Sequence, residues 1–210
     1  MKGKIIKLRF SRNFLFFLSK HGLALIFSVL LIVGVVLGVV CFSSQIEGLL
    51  LLLEAASKNY LIARCRLPFF SIFISSASFS IIFILFAFLS GLSLAGIPFL
   101  ALLSFGRGFF LGALGGYLLS LDPLKGFIFY LSIVLLPSII AVFALVLGCR
   151  ESFNFSSYLI KALSAQGKGR LIQDFKIYCV RYIFLLGIAL FAAVADMLLS
   201  GFFAPYFSLL

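Results

Sequence analysis

The sequence has few of the residues from which active sites are built. Only six of its 210 residues are acidic, one is histidine (His21), and tryptophan is absent. The single histidine has no second ligand, and there is no His-Glu-x-x-His, Cys-x-x-Cys or Walker-type motif. The serines have no available base, and an aspartyl protease needs two facing carboxylates, whereas Asp196 is the only acid inside an apolar segment. The sequence therefore predicts no catalytic residue, no metal site and no cofactor.

Charged residues and cysteine are also scarce. Charged residues make up 11% of the chain and hydrophobic residues 64%, against roughly 25% and 45–50% in soluble domains. A soluble fold of this length has too little interior to bury that much apolar surface. Cys41, Cys65, Cys149 and Cys179 do not have the spacing of metal ligands, so we interpret them as small apolar residues. The composition predicts an all-α integral membrane protein.

The longest apolar stretch, residues 69–121, contains a single charge, Arg107. One membrane crossing needs about 20 apolar residues, so this stretch is long enough for two crossings. Near its middle, Gly91 and Gly96 weaken a continuous helix, and Pro98 removes a backbone donor. We therefore expect a central hairpin of two transmembrane helices, broken by glycine and proline.

Five segments are long enough to span the membrane within a single polytopic domain, residues 1–210. They lie near residues 22–42, 69–90, 98–121, 124–149 and 182–199. Pro137 lies midway along the fourth segment, where it should kink the helix. The connecting segments are a basic one at 1–21, a loop at 43–67 and a second basic one at 150–181, in which apolar residues recur at helical spacing from residue 170 and predict an amphipathic helix that runs into the fifth span. We expect the loop to form an amphipathic helix on the outer surface, serving either as a partner site or as a spacer.

Lysine and arginine are distributed unequally between the two sides that five spans define. Twelve of the 17 lysine and arginine residues lie in the predicted inner segments, 1–21 and 150–181. Four lie on the outer side, three of them in residues 43–67 and the fourth at Lys125, and the remaining one is Arg107. Because these residues concentrate in cytoplasmic segments, the N-terminus is predicted inside and the C-terminus outside. The same clustering accounts for the net charge of +11 without nucleic acid, and membrane lipids are the expected partner. Residues 1–21 could anchor this topology or act as a docking arm.

Two charges, Arg107 and Asp196, lie inside predicted spans. In a helix that begins at Pro98, Arg107 lies roughly 13 Å along the axis, where exposure to lipid is costly. Its side chain should face a polar interior, contact a partner, or extend toward the headgroups. If the hairpin turn lies later in the chain than Pro98, Arg107 would instead lie at the inner surface. Asp196 lies near the outer end of the fifth span, where it could pair with Arg107 or Lys125, bind a partner or contact headgroups.

Three glycines of the third span, Gly108, Gly112 and Gly116, recur every four residues and so share one stripe of the helix. Small residues in a stripe allow two helices to approach closely. We expect the stripe to pack against another helix of the same chain, and a partner surface is the alternative.

Several of these residues have counterparts in a known family. They are the run Gly91-Leu92-Ser93-Leu94-Ala95-Gly96-Ile97-Pro98, the run Phe105-Gly106-Arg107-Gly108-Phe109 with Gly112 and Gly116, and Leu135-Leu136-Pro137. With the chain length, the basic N-terminus and the five-span layout, they resemble the stage II sporulation protein M family. Some members carry polar residues after the proline that matches Pro137, where this chain has Ser138-Ile139-Ile140.

The resemblance implies a non-enzymatic membrane scaffold of an endospore-forming bacterium. In that family, a member joins two peptidoglycan-degrading partners, sporulation proteins D and P, at the septal membrane of the mother cell during engulfment of the forespore. The alternative function is a membrane subunit of a transporter or permease, with Arg107, Asp196 and the kink at Pro137 lining a path. An inverted repeat would favour a transporter, and we find none in the sequence.

Overall fold

The computed structural model describes residues 2–44, 47–66, 68–93, 96–164 and 171–203, and almost all of them are helical. The elements in chain order are α1 (Lys2–Ser43), α2 (Glu47–Arg66), α3 (Phe69–Leu92), α4 (Gly96–Leu121), α5 (Pro123–Phe129), a π-helical segment (Tyr130–Leu135), α6 (Leu136–Ser164) and α7 (Leu171–Phe203). The predicted all-α class is confirmed.

Within the described ranges, five helical stretches are long and apolar enough to cross a membrane, as predicted. They are Gly22–Ser43, Phe69–Leu92, Gly96–Leu121, Pro123–Ile160 and Ile172–Phe203. The basic segment at 1–21 enters the structure as the first part of α1, and its side chains lie outside the described part of the chain.

The fourth and fifth stretches extend further than the predicted limits of 124–149 and 182–199. The predicted spans end at charged residues, where the apolar segments end, and the helices continue beyond them; for the fifth span this agrees with the helix predicted from about residue 170. Glu151 and Arg181 lie on helical turns beyond the predicted limits and form an ion pair that joins α6 to α7. Much of the segment predicted as 150–181 is therefore a continuation of these two helices.

The third span begins two residues earlier than predicted, at Gly96 and not at Pro98. Helix α3 ends at Leu92 and α4 begins at Gly96. Pro98 is compatible with the first turn of α4, because the N–H groups there have no partner within the helix. Gly96 is more constrained, since a Cβ atom at this position would collide with the backbone carbonyl of Ser90. Residues 94 and 95 lie outside the described part of the chain.

The fourth span changes helical type directly before Pro137. The span starts at Pro123, with the Asp122 side chain accepting hydrogen bonds from the backbone N–H groups of Leu124 (3.1 Å) and Lys125 (3.2 Å). Its π-helical segment then ends one residue before Leu136-Pro137. Because proline cannot donate the regular α-helical bond, a local change of helical spacing accommodates it.

Helices α1 and α4 are in backbone contact along the glycine stripe. A Cβ atom on Gly108 or Gly112 would collide with a backbone carbonyl of α1, and one on Gly116 would press on a side chain of α1. The opposing residues of α1 are Leu31 for Gly108, Val35 for Gly112 and Phe42 for Gly116. The contact is reciprocal, because Gly34 and Gly38 of α1 lie against backbone carbonyls of α4. The stripe thus packs against a helix of the same chain.

A network of buried hydroxyl groups connects α3, α6 and α7. Ser152 Oγ of α6 donates to the carbonyl of Ala87 on α3 at 2.7 Å and lies 2.9 Å from the hydroxyl of Tyr178 on α7. Tyr178 in turn donates to the carbonyl of Phe88 at 2.9 Å. Gly91 lies beside this network, and a Cβ atom there would collide with the Tyr178 hydroxyl. The glycine therefore allows α3 to approach the other two helices.

Candidate functional site

A cavity of about 450 Å³ lies among α2, α3, α4, α6 and α7. Its lining includes three charged side chains, Arg64, Arg107 and Asp196, which come from three different helices. Pro137 also lines the cavity, two residues after the end of the π-helical segment. The sequence-predicted residues Arg107, Asp196 and Pro137 are thus brought to one place by the fold.

Asp196 forms a buried ion pair with Arg64, which was not among its predicted partners. The two residues are 2% and 6% exposed. Both oxygens of the carboxylate are engaged by the guanidinium group, with Arg64 Nε donating to Oδ1 at 3.3 Å and Nη2 facing Oδ2. Ser200 Oγ adds a hydrogen bond of 3.2 Å to the same Oδ1. The pairing with Arg107 or Lys125 considered from the sequence is replaced by this bidentate pair.

Tyr60 lies beside the same ion pair. The Arg64 guanidinium carbon lies 3.4 Å from the centre of the Tyr60 ring, one helical turn away on α2. Burial raises the pKa of the Tyr60 hydroxyl well above its ordinary value. The phenol is therefore neutral at physiological pH, and it adds no negative charge to the cavity.

Arg107 occupies the middle of α4 and is 7% exposed. Its guanidinium carbon lies 4.5 Å from the ring centre of Phe79 and 5.5 Å from that of Phe83. Among the side chains that the structure describes, no carboxylate forms an ion pair with it. Arg107 thus differs from Arg64, because its contacts are with aromatic rings and its charge has no described counter-ion.

The aromatic contacts offset some of the cost of burying Arg107, but they do not neutralise its charge. A desolvated cation–π contact contributes about 2 kcal/mol. A charge at the centre of a bilayer costs about 2.5–3.5 kcal/mol on insertion scales and more than 10 kcal/mol in simulations of an isolated helix. With Arg64 neutralised by Asp196, the described lining of the cavity carries one uncompensated positive charge. The arrangement is suited to binding an anionic group.

Sequence reasoning missed Arg64 because this residue lies in a segment interpreted as a surface loop. In the structure α2 turns one face into the bundle, so that Leu53, Ser57, Leu61 and Arg64 are buried. Their spacing of four, four and three residues is that of one face of a helix. Only Leu53 and Leu61 of these four residues are apolar, so hydrophobic periodicity in the sequence does not mark Arg64 as an inward-facing charge.

The other predicted residues lie away from the cavity. Gly108, Gly112 and Gly116 contact α1, while Gly91 and Gly96 lie at the end of α3 and the start of α4. In the part of the chain that the structure describes, no group of three histidine, cysteine or acidic side chains could hold a metal ion.

Five helical stretches that are long and apolar enough to cross a membrane, four of which line the charged cavity together with α2, define a multi-pass helical membrane protein. The sequence model of the family described as Stage II sporulation protein M matches residues 23–196, from the first candidate span into the fifth. The chain belongs to this family, which confirms the resemblance found in the sequence and makes it a sporulation-related membrane protein. A search of curated proteins and a search of solved structures each returned no match.

Proposed function

We propose that this protein is a non-enzymatic scaffold that assembles peptidoglycan-degrading partners at the septal membrane of the mother cell during engulfment. The partners would be the counterparts of sporulation proteins D and P. The observation that supports the proposal is the family match over residues 23–196. In this role the chain positions the hydrolases and performs no reaction itself.

The exposed face of α2 is the surface that we assign to these partners. Leu51 and Leu52 are 69% and 70% exposed, and the charged residues Glu54 and Lys58 are exposed beside them. In the predicted orientation this helix lies on the outer side, where peptidoglycan hydrolases act. An apolar pair next to charged residues offers both buried contact and electrostatic orientation to a partner. The opposite face of α2 is held to the bundle by the pair of Arg64 with Asp196.

Crosslinked pull-down from sporulating cells, followed by mass spectrometry, tests this assignment. The wild-type chain should co-purify wall hydrolases, and the double variant Leu51→Ser, Leu52→Ser should lose at least nine-tenths of them while accumulating normally. Ile172→Ser is the matched control, because Ile172 is 74% exposed but lies at the other end of the molecule, at the start of α7. A wild-type protein that captures no hydrolase would refute the scaffold.

The cavity favours a second candidate function, a membrane subunit of a transporter or permease. Arg107, Asp196 and Pro137 all line it, and charged residues inside membrane spans often mark a transport path. The same pull-down distinguishes the two functions. A nucleotide-binding subunit among the captured proteins, in place of hydrolases, would support the permease.

A further inference from the structure

The cavity combines an uncompensated cation with an opening toward lipid. Phe79, Ile82 and Phe110 line the cavity and are also 42%, 48% and 47% exposed. They belong to α3 and α4, two of the candidate spans, so an opening of the cavity between these helices would face the acyl chains of the bilayer. The rings of Phe79 and Phe110 contact each other edge to face, with centroids 6.4 Å apart. A ligand that reaches Arg107 between α3 and α4 therefore passes an apolar entrance.

The chemistry beyond this entrance suits a phosphate group. Arg107 presents a guanidinium fork that matches two phosphate oxygens, and it is 93% buried without a described counter-ion. Ser75, Ser76 and Ser80 also line the cavity and add hydroxyl donors. The volume of about 450 Å³ lies within the usual range of ligand sites. A cationic interior with an apolar entrance matches an amphiphile that carries a negative headgroup.

We propose that this cavity binds the phosphate-type oxyanion of an anionic phospholipid, with Arg107 as the principal contact and the acyl chains lying against Phe79 and Phe110. The headgroup completes the charge balance of the cavity, in which Asp196 is already engaged by Arg64. Free phosphate offers the same oxyanion without acyl chains, so the experiment includes both sources. A carboxylate from a partner helix is the competing explanation of the unpaired charge.

Lipid binding can be measured on the purified chain without any partner, so its outcome is independent of the scaffold proposal. We would delipidate the protein and reconstitute it in nanodiscs of phosphatidylcholine alone or with phosphatidylglycerol of the same acyl chains. Native mass spectrometry and thermal unfolding then report retained lipid and stability. The wild type should retain phosphatidylglycerol at least tenfold over phosphatidylcholine and unfold at a higher temperature when phosphatidylglycerol is present.

Arg107→Gln should lose this tenfold preference and the thermal response to phosphatidylglycerol. Because the substitution removes a buried charge without a described counter-ion, the variant in phosphatidylcholine should be no less stable than the wild type. Arg181→Gln is the control, since the Arg181 side chain is 57% exposed and lies outside the cavity. It should keep the preference.

A second variant tests the site with Arg107 in place. Ser80 is 6% exposed, lines the cavity and lies between Phe79 and Phe83, whose rings contact Arg107. Ser80→Asp supplies an internal counter-ion, and we expect it to abolish the phosphatidylglycerol preference although Arg107 remains. If this variant binds phosphatidylglycerol as the wild type does, the headgroup lies elsewhere and the proposal is wrong.

Inorganic phosphate, added to nanodiscs of phosphatidylcholine alone, separates the two sources of the oxyanion. The lipid proposal expects little stabilisation by phosphate up to millimolar concentrations. Stabilisation of the wild type but not of Arg107→Gln, together with no effect of phosphatidylglycerol, would retain the oxyanion site and overturn the lipid as its ligand. Equal responses of the wild type and Arg107→Gln to both compounds would overturn the site and favour a partner carboxylate.

Discussion

Arg64 and Asp196 lie 132 residues apart in the chain and are both withdrawn from water. A buried ion pair adds little net stability, because desolvation of the two charges offsets most of their attraction. Breaking the pair destabilises the protein much more, because removing one residue leaves the other as an unpaired buried charge. The pair therefore acts mainly as a specific contact that holds α2 against α7.

Replacing Asp196 with Asn should destabilise the protein by about 3–5 kcal/mol, because it leaves the Arg64 charge unpaired. The matched control is Glu151→Gln, which removes the half-exposed pair with Arg181 and should cost about 0–1 kcal/mol. Equilibrium unfolding of the purified variants in detergent micelles measures both. The double variant Arg64→Gln, Asp196→Asn should recover part of the loss, and equal losses for Asp196→Asn and Glu151→Gln would contradict the structural pair.

Intramembrane charges could be recognised from the sequence, but their partners could not. Arg107 and Asp196 stand out because apolar residues surround them along the chain. Arg64 lies in a segment with other charges, and only the packing of α2 into the bundle reveals that its side chain is buried. Pairing across so many residues is a property of the tertiary structure.

At the scale of helices, the contact between α1 and α4 depends on missing side chains. Gly112 has no room for a Cβ atom because of the Val35 carbonyl, whereas Gly106 of the same helix has nothing within 4 Å of that position. The two glycines therefore form a matched pair of test sites. A substitution at either has the same intrinsic effect on helix propensity, and only the neighbouring helix differs.

Alanine should have opposite effects at these two glycines. Gly106→Ala should leave stability unchanged or raise it by up to about 1 kcal/mol through helix propensity. Gly112→Ala should destabilise by about 1–3 kcal/mol, because the two backbones must move apart, and Gly112→Leu should prevent accumulation. Membrane levels by immunoblot and unfolding of the purified variants test this. Normal levels of Gly112→Leu would show that α1 does not pack there.

The break between α3 and α4 allows a similar comparison. Gly96→Leu should abolish folding because the backbone carbonyl of Ser90 occupies the space for its Cβ atom. Pro98→Leu should have little effect, since residue 98 lies in the first turn of α4, where the missing N–H has no helical partner. Gly187→Leu serves as the control in an open position. Equal levels of the Gly96 and Gly187 variants would contradict this packing.

The helical class could be predicted from the composition, and the glycine stripe of α4 from its four-residue spacing, because neither depends on how the helices pack together. The partner of the stripe required two helices to be compared. Gly34 and Gly38 repeat the same four-residue spacing in α1, but many spans contain small residues. Helices α6 and α7 continue beyond the predicted spans because hydropathy locates an apolar segment and not the ends of a helix, and for α7 the periodicity from residue 170 indicated this continuation.

At the scale of the whole molecule, the orientation in the membrane remains a prediction from the distribution of lysine and arginine. Asn59 on α2 and Gln173 at the start of α7 are both exposed, and the prediction places them on opposite sides. In a background without the native cysteines, Asn59→Cys should react with an impermeant thiol reagent in intact protoplasts. Gln173→Cys should react only after lysis, and the reverse pattern would invert the topology.

The pairing of α1 with α4 also determines the order in which the molecule can be completed. During translation α1 enters the bilayer first, and α2 and α3 are synthesised before α4 emerges. Until then the face of α1 that carries Gly34 and Gly38 is covered by lipid or by the insertion machinery. A nascent chain stopped before residue 96 lacks the main contact of its first helix. Among the described spans, α1 is therefore the first to be inserted, and it gains its main packing contact only after α4 has been made.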